Sequence, residues 1–349
     1  MKFRIAPCIG AALAAGLVAG RAEAAGAGLQ PIMLDTAVIE RFLPTSDATR
    51  FGQLEFRGGL QLWSLADRQF SSLSGLDFAE DGTLYSVTDK GWWFTARPVM
   101  EDGRLVGIEA PAMAPILNSA GEALAGKRWG DAEGLRFAER NGVPTALVVF
   151  ERANGVRAFA GPDYVGSPSV DVPVPAAVRD MTGRDGVEAI AIAPEDGPLG
   201  GAMVLVAEVL RDGAGNIRAW IVGGPRAGAF SILRSDLYNV TDAAFLPDGD
   251  LLILERRLGL PFGISARIRR IAAADILAGG TVDGAVIFEA PLGYQIDNME
   301  GMALSRGPDG ETLITLVSDN NENPIQRTLL LTFALLEERN ASALEEPVD

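Results

Sequence analysis

A chain of 349 residues, 48% of them hydrophobic, can bury a sizeable core, and 41 glycines with 20 prolines suit many short strands better than long helices. A formal net charge of −16 repels nucleic-acid backbones, so no nucleic-acid partner is expected. The chain has no histidine, which excludes Ser-His-Asp and Cys-His nucleophiles and any His-ligated zinc or copper centre, and leaves acid–base work to Asp, Glu, Lys, Tyr or metal-bound water.

Residues 1–24 read as a signal peptide. Lys2 and Arg4 precede an apolar run from Ile5 to Val18, and Ala22-Glu23-Ala24 supplies a small-x-small cleavage site. The run is too short to cross a bilayer comfortably. The expected product is periplasmic or secreted, with no stable membrane insertion after cleavage. Cys8, the sole cysteine, would leave with the signal, so no disulfide or thiolate site is expected. Residues 25–50 read as an N-terminal extension, 51–336 as the folded domain and 337–349 as an acidic tail.

Five segments then repeat one pattern: an acidic residue or Ser, a small residue, an apolar-x-apolar step, a turn, an apolar strand and a carboxylate. The first is Ser74-Gly75-Leu76, with its turn at Asp81-Gly82 and its carboxylate at Asp89. The second is Glu133-Gly134-Leu135, with Asn141-Gly142 and Glu151. The third is Glu188-Ala189-Ile190, with Asp196-Gly197 and Glu208. The fourth is Asp242-Ala243-Ala244, with Asp248-Gly249 and Glu255. The fifth is Glu300-Gly301-Met302, with Asp309-Gly310 and Asp319. Asp-Gly and Asn-Gly pairs favour hairpin turns because Gly accepts positive φ, and the flanking alternation marks half-buried strands. Further hairpins are expected at Asp102-Gly103, Asp212-Gly213 and Asp283-Gly284, and a helical turn near Ala272 to Leu277.

The small residue recurs every 54 to 59 residues, a propeller-like period. Dividing the mature length by that period predicts an all-β, six-bladed β-propeller. The sixth blade would be shared by the chain ends, with Leu54 to Leu65 pairing against Thr328 to Leu335 and removing exposed edges.

In such a ring the first acid of each repeat starts a channel-lining strand. The last acid ends its antiparallel neighbour at the same end of the sheet. A carboxylate-lined mouth follows. Glu133, Glu188, Asp242 and Glu300 are the expected metal ligands, with Asp89, Glu151, Glu208 and Asn320 around them. Carboxylates packed together raise one another's pKa or recruit cations, and calcium accepts six to eight oxygens without nitrogen or sulfur. Magnesium and manganese fit less well. Arg152, Arg256 and Lys90 are candidates to hold an anionic group, and Glu255 or Asp319 to carry a proton. A single acid at a strand start is usually a solvated turn residue, and an Arg beside a Glu is often a structural ion pair. Recurrence in phase is what favours a site. Trp92-Trp93-Phe94 fits either a mouth wall or core packing. Ser74 has no histidine to activate it and reads as a structural hydroxyl.

These residues resemble the phytase-like family, described as having esterase-like activity of phytase. The resemblance rests on Ser74-Gly75-Leu76, Asp89, Glu133-Gly134-Leu135, Gly186-Val187-Glu188-Ala189, Pro247-Asp248-Gly249, Leu254-Glu255-Arg256, Glu300-Gly301 and Ser318-Asp319-Asn320-Asn321, in order. Ala189 and Ala243 stand where the pattern has Gly. The resemblance implies a secreted or periplasmic propeller and hydrolysis of phosphate or carboxylate esters. The pattern is also similar to the gluconolactonase and paraoxonase propellers, in which carboxylates and amides hold calcium. The function expected first is metal-dependent hydrolysis of a small anionic or ester substrate. A calcium-stabilised, non-catalytic binding propeller of the cell envelope and a lactonase are the alternatives. Fold does not fix function, and the sequence sets no oligomeric state.

Overall fold

Every apolar-x-apolar step predicted as strand forms one, and the strands assemble into five sheets. The computed structural model describes residues 28–124, 127–153, 155–181, 186–259 and 263–336. The signal segment 1–24, Cys8 included, and the tail 337–349 lie outside the described residues.

Blade 1 runs outward from Leu73–Phe78 through Leu84–Thr88 and Trp92–Glu101 to Arg104–Pro115, with Gln30–Pro31 on its edge. Blade 2 comprises Ala132–Arg140, Val143–Phe150, Gly155–Ala160 and Val170–Val172. Blade 3 comprises Val187–Ile192, Met203–Arg211, Ile217–Val222 and Gly228–Ile232, with Thr281–Val282 added in parallel. Blade 4 comprises Asn239–Phe245, Leu251–Gly259, Gly263–Ile271 and Ala285–Pro291. Blade 5 takes Asn298–Arg306, Thr312–Asp319 and Thr328–Leu335 from the end of the chain, then Leu54–Trp63 and Asp35–Ile39 from its start. The five inner strands contact one another in a closed circle, 1 to 2 to 3 to 4 to 5 and back to 1.

The ring therefore has five blades, not six. The expected pairing of the chain ends is present, with Leu330 opposite Leu60 and Phe333 opposite Phe56. It completes the fifth blade instead of building another. The fifth repeat supplies only three strands, and the N-terminal strands fill its outer positions. Length in excess of a compact blade goes into long outer hairpins, such as Trp92–Glu101 with Arg104–Pro115, and into added edge strands. Asp102-Gly103 and Asp212-Gly213 make the expected turns. Asp283-Gly284 does not: Thr281–Val282 pairs in blade 3 and Ala285–Pro291 in blade 4. The helical turn is a single 3-10 turn, Ala273–Asp275.

Five apolar clusters fill the five seams between blades. Leu254, Phe288, Met302, Ile314 and Phe333 join blades 4 and 5, for example, and Val87, Trp93, Leu135 and Val148 join blades 1 and 2. Trp93 and Phe94 are fully buried, so that aromatic run belongs to the core. The glycine of the first, second and fifth repeats has a steric cause. A Cβ on Gly75 would lie 2.5 Å from Gly134 Cα, and one on Gly301 would lie 2.3 Å from the Ser74 carbonyl oxygen. Inner strands pack that closely around a five-fold hub.

Arg136 crosses the hub. Its buried guanidinium donates to the carbonyl oxygens of Leu76 at 2.9 Å, Ala243 at 2.6 Å and Met302 at 2.9 Å, and pairs with Asp242 at 2.8 Å. One side chain thus ties the inner strands of blades 1, 2, 4 and 5.

Candidate metal and active site

A β-bulge in each inner strand aims the site. In blade 2, Gly134 faces Val149 and Ala132 faces Phe150, so Glu133 has no partner in the ladder. Glu188 in blade 3 and Glu300 in blade 5 are extruded in the same way. Bulges re-aim side chains, and these three carboxylates enter one cavity of about 180 Å³ at the end of the hub. The second strands deliver Asp89, Glu151, Glu208 and Asp319 to the same cavity. Arg152, Arg256, Ser74 and Asn321 complete most of the lining.

Asp131 also lines the cavity and was not anticipated from the repeats. Only blade 2 carries an acid there. Its signal was period-2 spacing: residues 131 and 133 share a face of an extended chain. Asp131 is 1% exposed, and Arg152 Nε lies 2.7 Å from its Oδ2. Oxygen atoms of Asp131, Glu133 and Glu151 all lie within 4.8 Å of one another.

Two expected members lie elsewhere. In blade 4 the bulge falls one residue earlier, on Thr241, while Asp242 stays in register opposite Leu254. Asp242 is therefore turned from the cavity into the hub, where it pairs with Arg136 and accepts from the Met302 N–H at 2.7 Å. Thr241 donates its hydroxyl to the Met299 carbonyl at 3.1 Å. Glu255 sits mid-strand opposite Val240 and Arg267, because the blade 4 hairpin stays in register to Gly259. Its fully buried carboxylate is held by Arg267 at 2.6 Å and Arg269 at 2.7 Å. Neither Asp242 nor Glu255 can reach the cavity. Arg256, the next residue, faces the opposite way and enters it.

Lys90 and Asn320 lie beside the lining. Lys90 donates to Ser71 Oγ at 2.9 Å and pairs with Glu322. Asn320 accepts from the Ser72 N–H at 3.2 Å. Ser74 donates to the Glu133 carboxylate at 2.8 Å, a structural use of the hydroxyl.

Eight carboxylates face two guanidiniums in the lining, and the electrostatics follow. Burial, then Asp131 and Glu300, push Glu133 well above its ordinary range. Burial, then Glu133 and Glu208, do the same to Glu188. Burial and Asp131 raise Glu151 to about 7. Burial raises Glu300 to about 8 even with Arg256 opposing. Burial pulls the Arg256 guanidinium down, but Glu300, Glu208, Glu188 and Glu133 outweigh it and hold it above its ordinary value.

The donor set fits a hard divalent cation. It offers only oxygens, and the Asp131–Glu133–Glu151 spread matches two metal–oxygen bonds of about 2.3–2.6 Å end to end. A cation there would also relieve the repulsion that raises these groups.

A family model described as esterase-like activity of phytase, phytase-like, matches residues 68–322. No curated protein matches the chain. Among solved structures, a thermostable family-43 glycoside hydrolase aligns over 77% of this chain and 91% of its own, at 10% identity and TM-score 0.50. An endo-arabinase from Bacteroides thetaiotaomicron covers 77% and 95%, at 12% identity and TM-score 0.47. The Dos1 propeller covers 81% and 74%, at 8% identity and TM-score 0.37. At 10% identity the family-43 structure speaks to fold alone. The match over residues 68–322 takes in all five inner strands, and the chain belongs to the phytase-like family.

Proposed function

We propose that this phytase-like propeller is a calcium-dependent hydrolase of phosphate or other esters, working in the acidic cavity. The carrying observation is the convergence of eight carboxylates from four blades on about 180 Å³, with three of them close enough to share one ion. Asp131, Glu133 and Glu151 would hold the cation, with Asp89 and Glu188 beside them. The cation, when bound, supplies Lewis acidity toward an ester oxygen. Arg152, the rim guanidinium with a 38% exposed side chain, binds an anionic substrate oxygen. Asp319 faces the same cavity from blade 5 and carries the proton. Glu255 is not assigned that task, since two arginines enclose it. Export is part of the proposal: residues 1–24 act as a signal, and no helix among the described residues is long and apolar enough to cross a membrane. The N-terminal mass of the mature protein tests it.

The activity test is turnover of p-nitrophenyl phosphate and p-nitrophenyl acetate with calcium, then with chelator. Turnover with calcium, its loss in chelator and its loss in Asp131→Asn support the proposal. No turnover of either ester with calcium, magnesium or manganese rejects hydrolysis. A calcium-dependent rise in melting temperature without turnover would then favour the binding-module alternative, and turnover of lactones alone would favour a lactonase.

A further inference from the structure

The acidic cavity is lopsided, and a guanidinium sits in its crowded half. Blade 4 contributes no carboxylate to the lining; it contributes Arg256. Arg256 reaches both neighbouring blades, with Nη2 3.0 Å from Glu208 Oε1 of blade 3 and Nη1 3.1 Å from Glu300 Oε1 of blade 5. It also pairs with the Asn298 carboxamide oxygen, while the Asn298 amide donates to Glu300 at 2.7 Å. Side-chain exposures of 18% for Arg256, 18% for Glu208 and 12% for Glu300 show a packed cluster. On the blade 2 side, Asp131, Glu133 and Glu151 approach one another with Arg152 only at the exposed rim.

We infer that Arg256 is a built-in counter-cation standing where a second divalent ion would otherwise bind, so that the cavity takes one such ion, on its blade 2 side. The inference rests on the proposal that the cavity binds divalent cations. Its physical basis is competition for the same oxygens. Glu208 and Glu300 point their carboxylates at a fixed positive charge, and a second ion would have to displace a hydrogen-bonded guanidinium. A tethered guanidinium cannot leave with the solvent, so this half stays neutralised whatever the calcium concentration.

The experiment is calorimetric titration of chelator-stripped full-length protein with calcium chloride at pH 8. Wild type, Arg256→Lys and Arg256→Gln are compared. The expected stoichiometry is one ion for wild type and Arg256→Lys, and two for Arg256→Gln. Wild type binding none while Arg256→Gln binds one overturns the inference together with the native cation site. Arg256→Gln binding one, like wild type, overturns the inference. Two ions in both wild type and Arg256→Gln overturn it while the cation proposal stands. Binding by neither overturns both. If Arg256→Gln is unfolded in chelator, recovery of the wild-type circular dichroism spectrum on adding calcium supports the inference, and failure to recover counts against it.

Discussion

Blades 2 and 4 start from the same sequence pattern and serve opposite ends. In blade 2 the bulge lifts Glu133 out of the ladder, the second strand ends before Glu151, and both acids reach the cavity. In blade 4 the bulge sits one residue earlier, the second strand runs on, and Asp242 and Glu255 turn into the protein to meet Arg136, Arg267 and Arg269. A single-residue offset exchanges the faces of a strand, so equivalent acids become interior ion pairs in one blade and a repelling cluster in another. The first arrangement stabilises the ring. The second holds charge that favours a cation.

Substitutions of matched residues should therefore differ in sign. Glu255→Ala strips the shared partner from two buried guanidiniums and should destabilise by about 3–5 kcal/mol in urea denaturation. A loss comparable to a surface change would break the contrast. Asp242→Asn keeps the shape but presents an amide where an acceptor meets the Arg136 and Met302 donors, costing about 1–3 kcal/mol by the same measurement. Glu151→Gln should do the reverse in chelator at pH 8, raising the melting temperature by a few degrees because it removes one member of the carboxylate cluster.

The pH dependence sharpens this. Unfolded glutamates titrate near 4.5, while Glu151 keeps its proton to about 7 and Glu300 to about 8 in the folded protein. Between those limits the native state binds more protons than the unfolded chain. Melting temperature in chelator should fall as pH rises from about 4.5 to about 8, with saturating calcium flattening the trend. A rise over that window would contradict the raised values. The baseline is Arg97→Ala in blade 1. It breaks a pair with Asp81 in which both side chains are 60% exposed and should change stability by about 0.5 kcal/mol or less.

Much of this was legible in the sequence because the repeat is written in residue types. Gly75, Gly134 and Gly301 mark hub contacts too close for a Cβ, and the Asp-Gly or Asn-Gly inside each repeat marks a turn. Seven cavity carboxylates were named from their phase. Three features were not legible. Blade number is one of them, because long outer hairpins and added edge strands inflate the quotient of length and period, and the pairing of the chain ends completes the fifth repeat instead of forming a unit of its own. Bulge position is set by packing around the hub, so Thr241 and Asp242 cannot be told apart by pattern. Arg136 reads as the polar half of an alternating strand, and only a closed ring shows that its position faces an axis shared with other blades.

The clasp in blade 5 also makes the ring depend on both ends of the chain. Its inner three strands follow the other four blades along the chain, and its outer two precede the inner strands of those blades. The blade that carries Glu300 and Asp319 is complete only when residues 328–335 pair with a strand some 270 residues earlier in the chain. A chain cut before residue 328 carries all eight cavity acids but an open fifth blade, so under the proposed function its affinity for calcium should drop sharply although no acid is lost.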